Sequence, residues 1–154
     1  KMGRALALKT IAQMPAVALT ASVNFGLLGL EVDLPSLHAR VTDGIRLRPW
    51  LAAKLLPVSS QSYLQVFRLN ESLWLSTPCD FSGELGLGIK ASLRDRGFST
   101  AITSFNGDYI GYVIPSRYYH LEGYEPRTMS FFGPNVPDYL DELMRALAAE
   151  MVSK

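Results

Sequence analysis

The order of the predicted elements indicates an α/β fold, in which a layered mixed sheet is flanked by helices. Helical and strand patterns alternate along the chain in the order α, β, α, β, β, α, β, α, α, which favours a layered sheet over a helical bundle or a β-sandwich. With 154 residues, of which 48% are hydrophobic and 19% charged, the chain can bury one substantial core. Residues 1–154 are therefore expected to form a single domain or the carboxyl-terminal portion of a larger one.

The first half of the chain predicts a helix, a strand and a second helix. Residues 1–14 suit an amphipathic helix that ends before Pro15, because a residue that precedes proline disfavours helical backbone. Residues 29–35 alternate apolar with acidic side chains, the period-2 pattern of a strand with one solvated face. Residues 50–57 offer about two turns of helix.

The second half of the chain begins with a predicted hairpin. Two β-rich runs, residues 63–69 and 72–77, surround the turn residues Asn70 and Glu71. Residues 99–105 predict another strand. The remaining elements are a short helix near residues 116–121 and a final amphipathic helix marked by Leu140, Leu143, Met144, Leu147 and Met151.

A helix is predicted for residues 83–96, where apolar residues recur at every fourth position and Gly97 follows. Two glycines, Gly86 and Gly88, lie inside it although each costs roughly 1 kcal/mol relative to alanine. Close backbone packing or a ligand is therefore expected beside them.

The composition excludes several classes of protein. Lys and Arg number 15 against 14 Asp and Glu, and the basic residues do not cluster, so nucleic acid is not an expected partner. The longest apolar run, residues 15–30, falls short of the roughly 20 residues of a spanning helix, so no transmembrane segment is expected. The single cysteine, Cys79, excludes an internal disulfide framework and a multi-cysteine zinc cluster.

The amino-terminal end of the sequence already has a helical pattern. The first residue is Lys1, and apolar residues at helical spacing follow it without an initiator methionine. We expect the chain to be the carboxyl part of a longer protein.

Two segments combine a strand end with turn chemistry and functional side chains: residues 77–82 and 105–112. In open α/β sheets, ligands bind at the carboxyl ends of strands, so a site is expected at these segments. Asp80 could be a ligand there, or it could cap the following helix, as Ser82 also could. Cys79 could be a nucleophile, although a buried apolar role is the simpler interpretation.

The remaining polar and aromatic candidates have plain structural interpretations when each is taken alone. Asn106-Gly107-Asp108 is typical of a turn, and the surrounding tyrosines are typical of half-buried packing. His38 and His120 lack the spacing of a metal-binding pair. Two arginines, Arg117 and Arg127, could hold an anion or lie solvated on the surface.

Taken in order, four of these segments resemble the carboxyl half of the catalytic domain of the neutral/alkaline ceramidase family. They are Thr-Pro-Cys-Asp-Phe-Ser-Gly-Glu from residue 77, Asn-Gly-Asp-Tyr-Ile-Gly-Tyr-Val from residue 106, Gly-Tyr-Glu from residue 123 and Phe-Phe-Gly-Pro from residue 131. The family has a Pro-Gly-Glu-Phe type turn, an Asn-x-Tyr-x-x-Tyr stretch, a Tyr-Glu pair and a Gly-Pro before a final helix. The resemblance covers residues 63–151 and implies an α/β fold that is part of a larger catalytic domain.

The resemblance also implies an activity and a site. Members of this family are zinc-dependent amidases that split the N-acyl bond of ceramide, a lipid-like N-acyl amide. Asp80 stands at the position of a glutamate that binds the zinc, and Tyr112 at the position of a tyrosine that does so. Tyr124 matches a tyrosine that contacts the substrate near its scissile amide, so Tyr112 and Tyr124 are the expected catalytic residues.

This sequence departs from the family pattern in ways that leave alternatives open. The two zinc-binding histidines of the family have no counterpart here, so they are expected in an amino-terminal part of the same protein, and this chain alone should be inactive. Asp80 is one methylene shorter than glutamate, Cys79 replaces a glycine, and Asp108 is either an added ligand or turn chemistry. The resemblance implies a secreted, periplasmic or membrane-associated location.

Two other functions compete with the amidase. A non-catalytic ligand-binding or structural relative could keep the fold and lose the metal. A cysteine hydrolase would use Cys79 as the nucleophile and His120 as its base.

Overall fold

A computed structural model describes residues 1–42 and 44–154. These described residues form six strands, and the first, second, third and fifth of them form a mixed four-stranded sheet. The strands are β1 (Phe25–Asp33), β2 (Gln61–Leu69), β3 (Ser72–Ser76), β4 (Asp80–Phe81), β5 (Ser99–Thr103) and β6 (Tyr112–Val113).

In the same described part of the chain, four α-helices accompany the strands. They are α1 (Met2–Gln13), α2 (Pro49–Leu55), α3 (Gly83–Arg94) and α4 (Val136–Ser153). A 3₁₀ turn at Ser116–Tyr118 and a π-helical turn at Tyr124–Met129 lie between β6 and α4.

The connections of the main sheet explain its mixed character. Strands β1, β2 and β3 are antiparallel neighbours, and α3 then crosses over to bring β5 parallel to β3. The tight β2–β3 turn is the predicted hairpin, in which Asn70 has a positive φ of 51°. The predicted α/β fold with a mixed sheet and flanking helices is confirmed.

The hydrophobic core lies between one face of the main sheet and the helices α3 and α4. Alternate residues of β2 and β3 point into it, and four of them, listed here, are almost completely buried: Leu64, Val66, Leu73 and Leu75. Helix α4 covers them with an apolar stripe of Leu140, Met144, Ala148 and Met151. The predicted amphipathic character of the final helix is therefore confirmed.

The opposite face of this sheet, which we call the outer face, is apolar at its centre. Its central side chains are Phe25, Leu27, Tyr63, Phe67 and Trp74, and all except the half-buried Phe67 are exposed. Leu27 pairs with Phe67 and Phe67 with Trp74 across the strands, so these three residues form one row.

Close packing explains the two glycines inside α3. A Cβ atom at Gly86 would lie 3.3 Å from Cδ1 of Ile102 on β5, and one at Gly88 would lie 3.3 Å from a guanidinium nitrogen of Arg145 on α4. The glycines therefore let α3 approach the sheet and α4 closely, and of the two predicted explanations the structure supports packing.

Helix α1 forms where the sequence predicts it, but the prediction that it is amphipathic is wrong. Its apolar residues are distributed around the axis, and all of its side chains are exposed. A helix of this kind gains little from tertiary packing, because most helical stability in proteins comes from a buried apolar face.

Several element boundaries differ from the predicted ones. Strand β1 starts at Phe25 instead of residue 29, because pairing with the nine residues of β2 extends it. Strand β5 ends at Thr103, since Phe105 has a positive φ of 59° that an extended strand does not accommodate. Within residues 1–42 and 44–154, no helix combines the length and the apolar character needed to span a bilayer.

Candidate active site

The two segments predicted to form a site lie side by side, because main-chain hydrogen bonds join them. The N–H of Thr77 donates to the carbonyl of Thr103 at 2.9 Å, and the N–H of Asn106 donates back to the carbonyl of Thr77 at 2.9 Å. Farther along, the N–H of Ile110 donates to the carbonyl of Pro78 at 2.9 Å. The chain after β3 and the chain after β5 are thus held together from their strand ends onward.

The short strands β4 and β6 continue this pairing in parallel. The N–H of Asp80 donates to the carbonyl of Gly111 at 3.0 Å, and that of Ser82 donates to Val113 at 2.9 Å. Asp80 is directly opposite Tyr112 in the register. Residues directly opposite each other project to the same face of a sheet, so the backbone sets these two side chains next to each other.

The side chain of Tyr112 interacts with that of Asp80, the residue opposite it in the register. Hydrogen bonding to the carboxylate, partial desolvation and the negative charge of the carboxylate raise the pKa of Tyr112 above the usual 10.0, because ionisation would place two anions together. The sequence-predicted metal ligands Asp80 and Tyr112 are therefore interacting neighbours.

Replacing Asp80 should lower the pKa of Tyr112. In Asp80→Ala, the hydrogen bond and the neighbouring charge are both removed, so the phenol should titrate closer to 10.0. Ultraviolet titration of phenolate formation, compared with Tyr112→Phe in the same background, isolates this group from the other tyrosines. Asp108→Ala, which removes a half-buried carboxylate engaged in a turn, is the matched control and should leave the titration unchanged. An equal pKa for Tyr112 with and without Asp80 would contradict this arrangement.

Tyr124, the third predicted site residue, lies beside Tyr112. The two rings meet edge to face, with centroids 5.9 Å apart and planes at 81°. Tyr124 is the first residue of the π-helical turn, which follows Gly123 at a φ of 137°. Its side chain is 61% exposed, so its hydroxyl is free to meet a bound molecule. The structure thus brings all three predicted residues together.

Tyr109 joins this group although the sequence reasoning did not single it out. Its pKa is raised by partial desolvation and by its neighbours Tyr124, Asp80 and Cys79, in that order. Its ring stacks on that of Phe105 with centroids 5.6 Å apart. The available signal was the crowding of aromatic residues around the turn at residues 106–108.

Asp108 takes part in local turn chemistry. Its carboxylate accepts a hydrogen bond of 2.7 Å from the N–H of the next residue, Tyr109. Of the two predicted roles, the contacts favour the turn.

Helix capping does not account for Asp80. The hydroxyl of Ser82 caps α3 by accepting a hydrogen bond from the N–H of Glu84 at 3.3 Å. The carboxylate of Asp80 therefore remains available to Tyr112. Nearby, Glu84 forms an ion pair with Arg117, and the hydroxyl of Tyr118 also donates to it, so Arg117 already has an anionic partner within the protein.

Cys79 is a buried thiol. Burial raises its pKa to about 12, a hydrogen bond with Thr77 opposes this rise, and the charge of Asp80 adds to it. Because the thiolate is the reactive form, this environment gives no support to a cysteine hydrolase.

The two histidines pack against other parts of the structure. The ring of His38 lies against Gly133, and that of His120 packs edge to face on Tyr119. In the part of the chain that the structure describes, no three His, Cys, Asp or Glu side chains are grouped closely enough to hold a metal ion. Asp80 and Tyr112 could supply two oxygen-bearing side chains to a metal ion.

Comparisons with known proteins give fold relatives but no sequence relatives. No protein-family model matches the chain, and no curated protein sequence does. A crystal structure of neutral ceramidase from Pseudomonas aeruginosa superposes with a TM-score of 0.63 and 17% identity, over 84% of this chain and 29% of that one. A structure of ceramidase complexed with C2 gives a TM-score of 0.53 and 21% identity, over 61% of this chain and 16% of that one.

The chain has a neutral-ceramidase-like fold. At these identities, the likeness concerns the fold and not the activity. The chain spans less than a third of the length of either ceramidase chain. In this fold, Asp80 lies opposite Tyr112, and the ring of Tyr124 packs against that of Tyr112, so the three side chains lie in one place.

Proposed function

We propose that this chain is the carboxyl-terminal portion of a ceramidase-like, metal-dependent amide hydrolase that cleaves a lipid-like N-acyl amide. The observation that carries the proposal is the pairing of Asp80 opposite Tyr112, where their side chains interact, in a neutral-ceramidase-like fold with Tyr124 beside them. The remaining part of the site would come from an amino-terminal part of the same protein.

Asp80 and Tyr112 fit one half of a zinc site. Zinc in catalytic sites leaves one position open for water and can expand to five ligands, and carboxylate oxygen is among its usual ligands. A carboxylate and a phenol on residues that lie opposite each other and interact offer oxygens that one cation could share. Such a cation would also favour the phenolate of Tyr112 and so reverse the rise in its pKa. Two histidines from outside this chain would complete the ligand set.

When bound at such a site, zinc supplies Lewis acidity and an activated water at neutral pH. The role of Asp80 and Tyr112 is to hold their oxygens in place, which the main-chain pairing of β4 with β6 does without relying on flexible loops. Because the backbone fixes where both side chains start, only side-chain rotation is needed when the cation binds.

Tyr124 has the position of a group that binds the substrate carbonyl. Its exposed ring packs edge to face with the Tyr112 ring, so its hydroxyl can face an amide held next to Tyr112. A phenolic hydroxyl donates a hydrogen bond to the oxygen on which negative charge develops when an amide is attacked. The proposed role of Tyr124 is this stabilisation.

The 154-residue chain alone should not hydrolyse amides, because Asp80 and Tyr112 do not supply enough ligands for a catalytic zinc site. The proposal is tested in the longest polypeptide that the gene encodes. There, Asp80→Ala and Tyr112→Phe should each weaken zinc binding by about tenfold or more and lower the amidase rate in parallel, as expected when a ligand or its support is lost.

Asp108→Asn is the matched control, since Asp108 is a half-buried carboxylate engaged in a turn. It should leave zinc content and rate unchanged. A longest polypeptide that binds no zinc, or one in which Asp80→Ala and Tyr112→Phe change neither quantity, would overturn the proposal.

The second candidate is a non-catalytic relative that keeps the fold and has lost the metal. The observation in its favour is the shorter side chain at position 80, where the ceramidase family that the sequence resembles has glutamate. The presence or absence of a histidine pair in the preceding part of the gene discriminates the two candidates.

A further inference from the structure

The outer face of the main sheet is too apolar for a surface that stays in water. Phe25 is 62% exposed, Leu27 58%, Tyr63 53% and Trp74 42%. The ring of Phe67 links Phe25 and Trp74, with centroids 5.9 Å from each. Contiguous aromatic and aliphatic exposure of this kind marks an interaction surface.

The two faces of the sheet are not equivalent. Helices α3 and α4 cover the inner face, where Leu64, Val66 and Leu75 are almost completely buried. On the outer face, the exposed fractions of the side chains show that no element of the described residues covers them. A sheet that is apolar on both faces belongs in the middle of a layered domain.

The charges on the outer face indicate what kind of surface covers it. Two acidic residues, Glu31 and Asp33, lie at one end of β1, and no Lys or Arg alternates onto this face within the strands. The other polar positions on this face are neutral: Gln61, Gln65, Ser72, Ser76, Ser99 and Thr103. A surface without cations does not attract anionic lipid or nucleic acid, so an apolar protein surface fits best.

The outer face also leads to the proposed site. Strands β3 and β5 run parallel, and the segments that follow them carry Asp80 and Tyr112. Just beyond β5, the stacked rings of Phe105 and Tyr109 are both exposed. A layer that lay on the outer face would therefore reach the site that lacks metal ligands.

We propose that the outer face packs against a second apolar β-sheet of the same polypeptide, in the part of the domain that completes the proposed site. The inference rests on the proposed function. The ceramidase chains that share this fold are more than three times as long as their matched region, so their fold has room for such a layer. Two sheets packed face to face stand about 10 Å apart and interdigitate side chains like those of the row Leu27, Phe67 and Trp74.

Cysteine labelling, measured by peptide mass spectrometry at the introduced site, tests the proposal. The single cysteine of the 154-residue chain, Cys79, is completely buried and its pKa is raised to about 12, so maleimide should not modify it in the folded protein. Leu27→Cys places a thiol on the outer face at an exposed position, where it should not disturb folding. Leu87→Cys, on α3 and 66% exposed, is the matched control on the helical side of the sheet.

In the 154-residue chain, both introduced cysteines should react rapidly with maleimide. In the longest polypeptide that the gene encodes, Leu27→Cys should react at least about tenfold more slowly, whereas Leu87→Cys should keep its rate. The labelling does not depend on metal or on activity, so failure of the proposed function leaves this result readable.

Three results would overturn the inference. One is equal labelling of Leu27→Cys in the short chain and in the longest polypeptide, which includes the case of a gene that encodes no further layer. Another is protection of Leu27→Cys in the short chain together with a dimeric mass in sedimentation, which would identify a second copy as the occupant. The last is protection that appears only when phosphatidylcholine or phosphatidylserine vesicles are added.

Discussion

Gly111→Ala should destabilise the 154-residue chain by about 2–5 kcal/mol. Gly111 has a φ of 86°, a conformation that costs an L-residue roughly 1–2 kcal/mol. A Cβ atom there would also lie 2.3 Å from the carbonyl oxygen of Met129 and 2.8 Å from the ring of Phe131. Because a backbone oxygen cannot move aside as a flexible side chain can, overpacking adds a further cost of about 1–3 kcal/mol.

The same substitution should also disturb the site, since the carbonyl of Gly111 accepts the N–H of Asp80. Urea unfolding measures the loss of stability as a lower midpoint at an unchanged m-value. Gly107→Ala is the matched control: its φ is 78°, but a Cβ there would meet no atom within 4 Å. It should cost only the conformational part, about 1–2 kcal/mol. Equal midpoints for the two alanine variants would show that the close approach at Gly111 does not matter.

Leu140→Ala should cost about 2–5 kcal/mol of stability. Leu140 is 0% exposed at the centre of the apolar stripe of α4, which covers the sheet. Removing its branched end loses the transfer free energy of the buried atoms and leaves a cavity that closely packed neighbours fill incompletely. The expected range is the one seen for fully buried leucines.

Leu87→Ala provides the control for helix propensity and side-chain size, because Leu87 lies on α3 and is largely exposed. Its effect should stay within about 0.5 kcal/mol, the usual range for surface substitutions. Chemical denaturation of both variants makes the comparison. A loss below about 1 kcal/mol for Leu140→Ala would mean that α4 does not carry the core that its burial indicates.

The parts of the fold that the sequence predicts are those with a repeated local pattern. Helices α3 and α4 have apolar residues at helical spacing, and the β2–β3 hairpin has a turn residue, Asn70, that tolerates positive φ. These features depend on residues close together in the sequence, so local sequence patterns are sufficient to predict them.

The parts that escaped prediction depend on distant partners. Strands β4 and β6 have two residues each, too few for any alternation to be visible, and they exist because the segments after β3 and β5 pair with each other. The π-helical turn at Tyr124–Met129 follows a glycine and contains Pro126, a composition typical of a loop. Helix α1 has the apolar composition of a packed helix, but its apolar residues do not lie on one face.

The candidate site also has features that the sequence predicts and features that it does not. Asp80, Tyr112 and Tyr124 were predicted by resemblance to a family, whereas spacing alone left each with an ordinary structural interpretation. Their contact arises from the parallel register of β4 and β6, which no local pattern encodes. Tyr109 was overlooked because a tyrosine in an aromatic-rich turn has no signal that separates packing from function.

The main-chain pairing of residues 77–82 with residues 103–113 has a consequence for how this region tolerates mutation. A main-chain hydrogen bond between N–H and carbonyl groups does not require particular side chains, except that proline lacks the N–H donor. Most positions in the two segments can therefore change their side chains while Asp80 and Tyr112 keep their mutual placement. Sequence drift in this region should erase recognisable motifs well before it displaces these two oxygens.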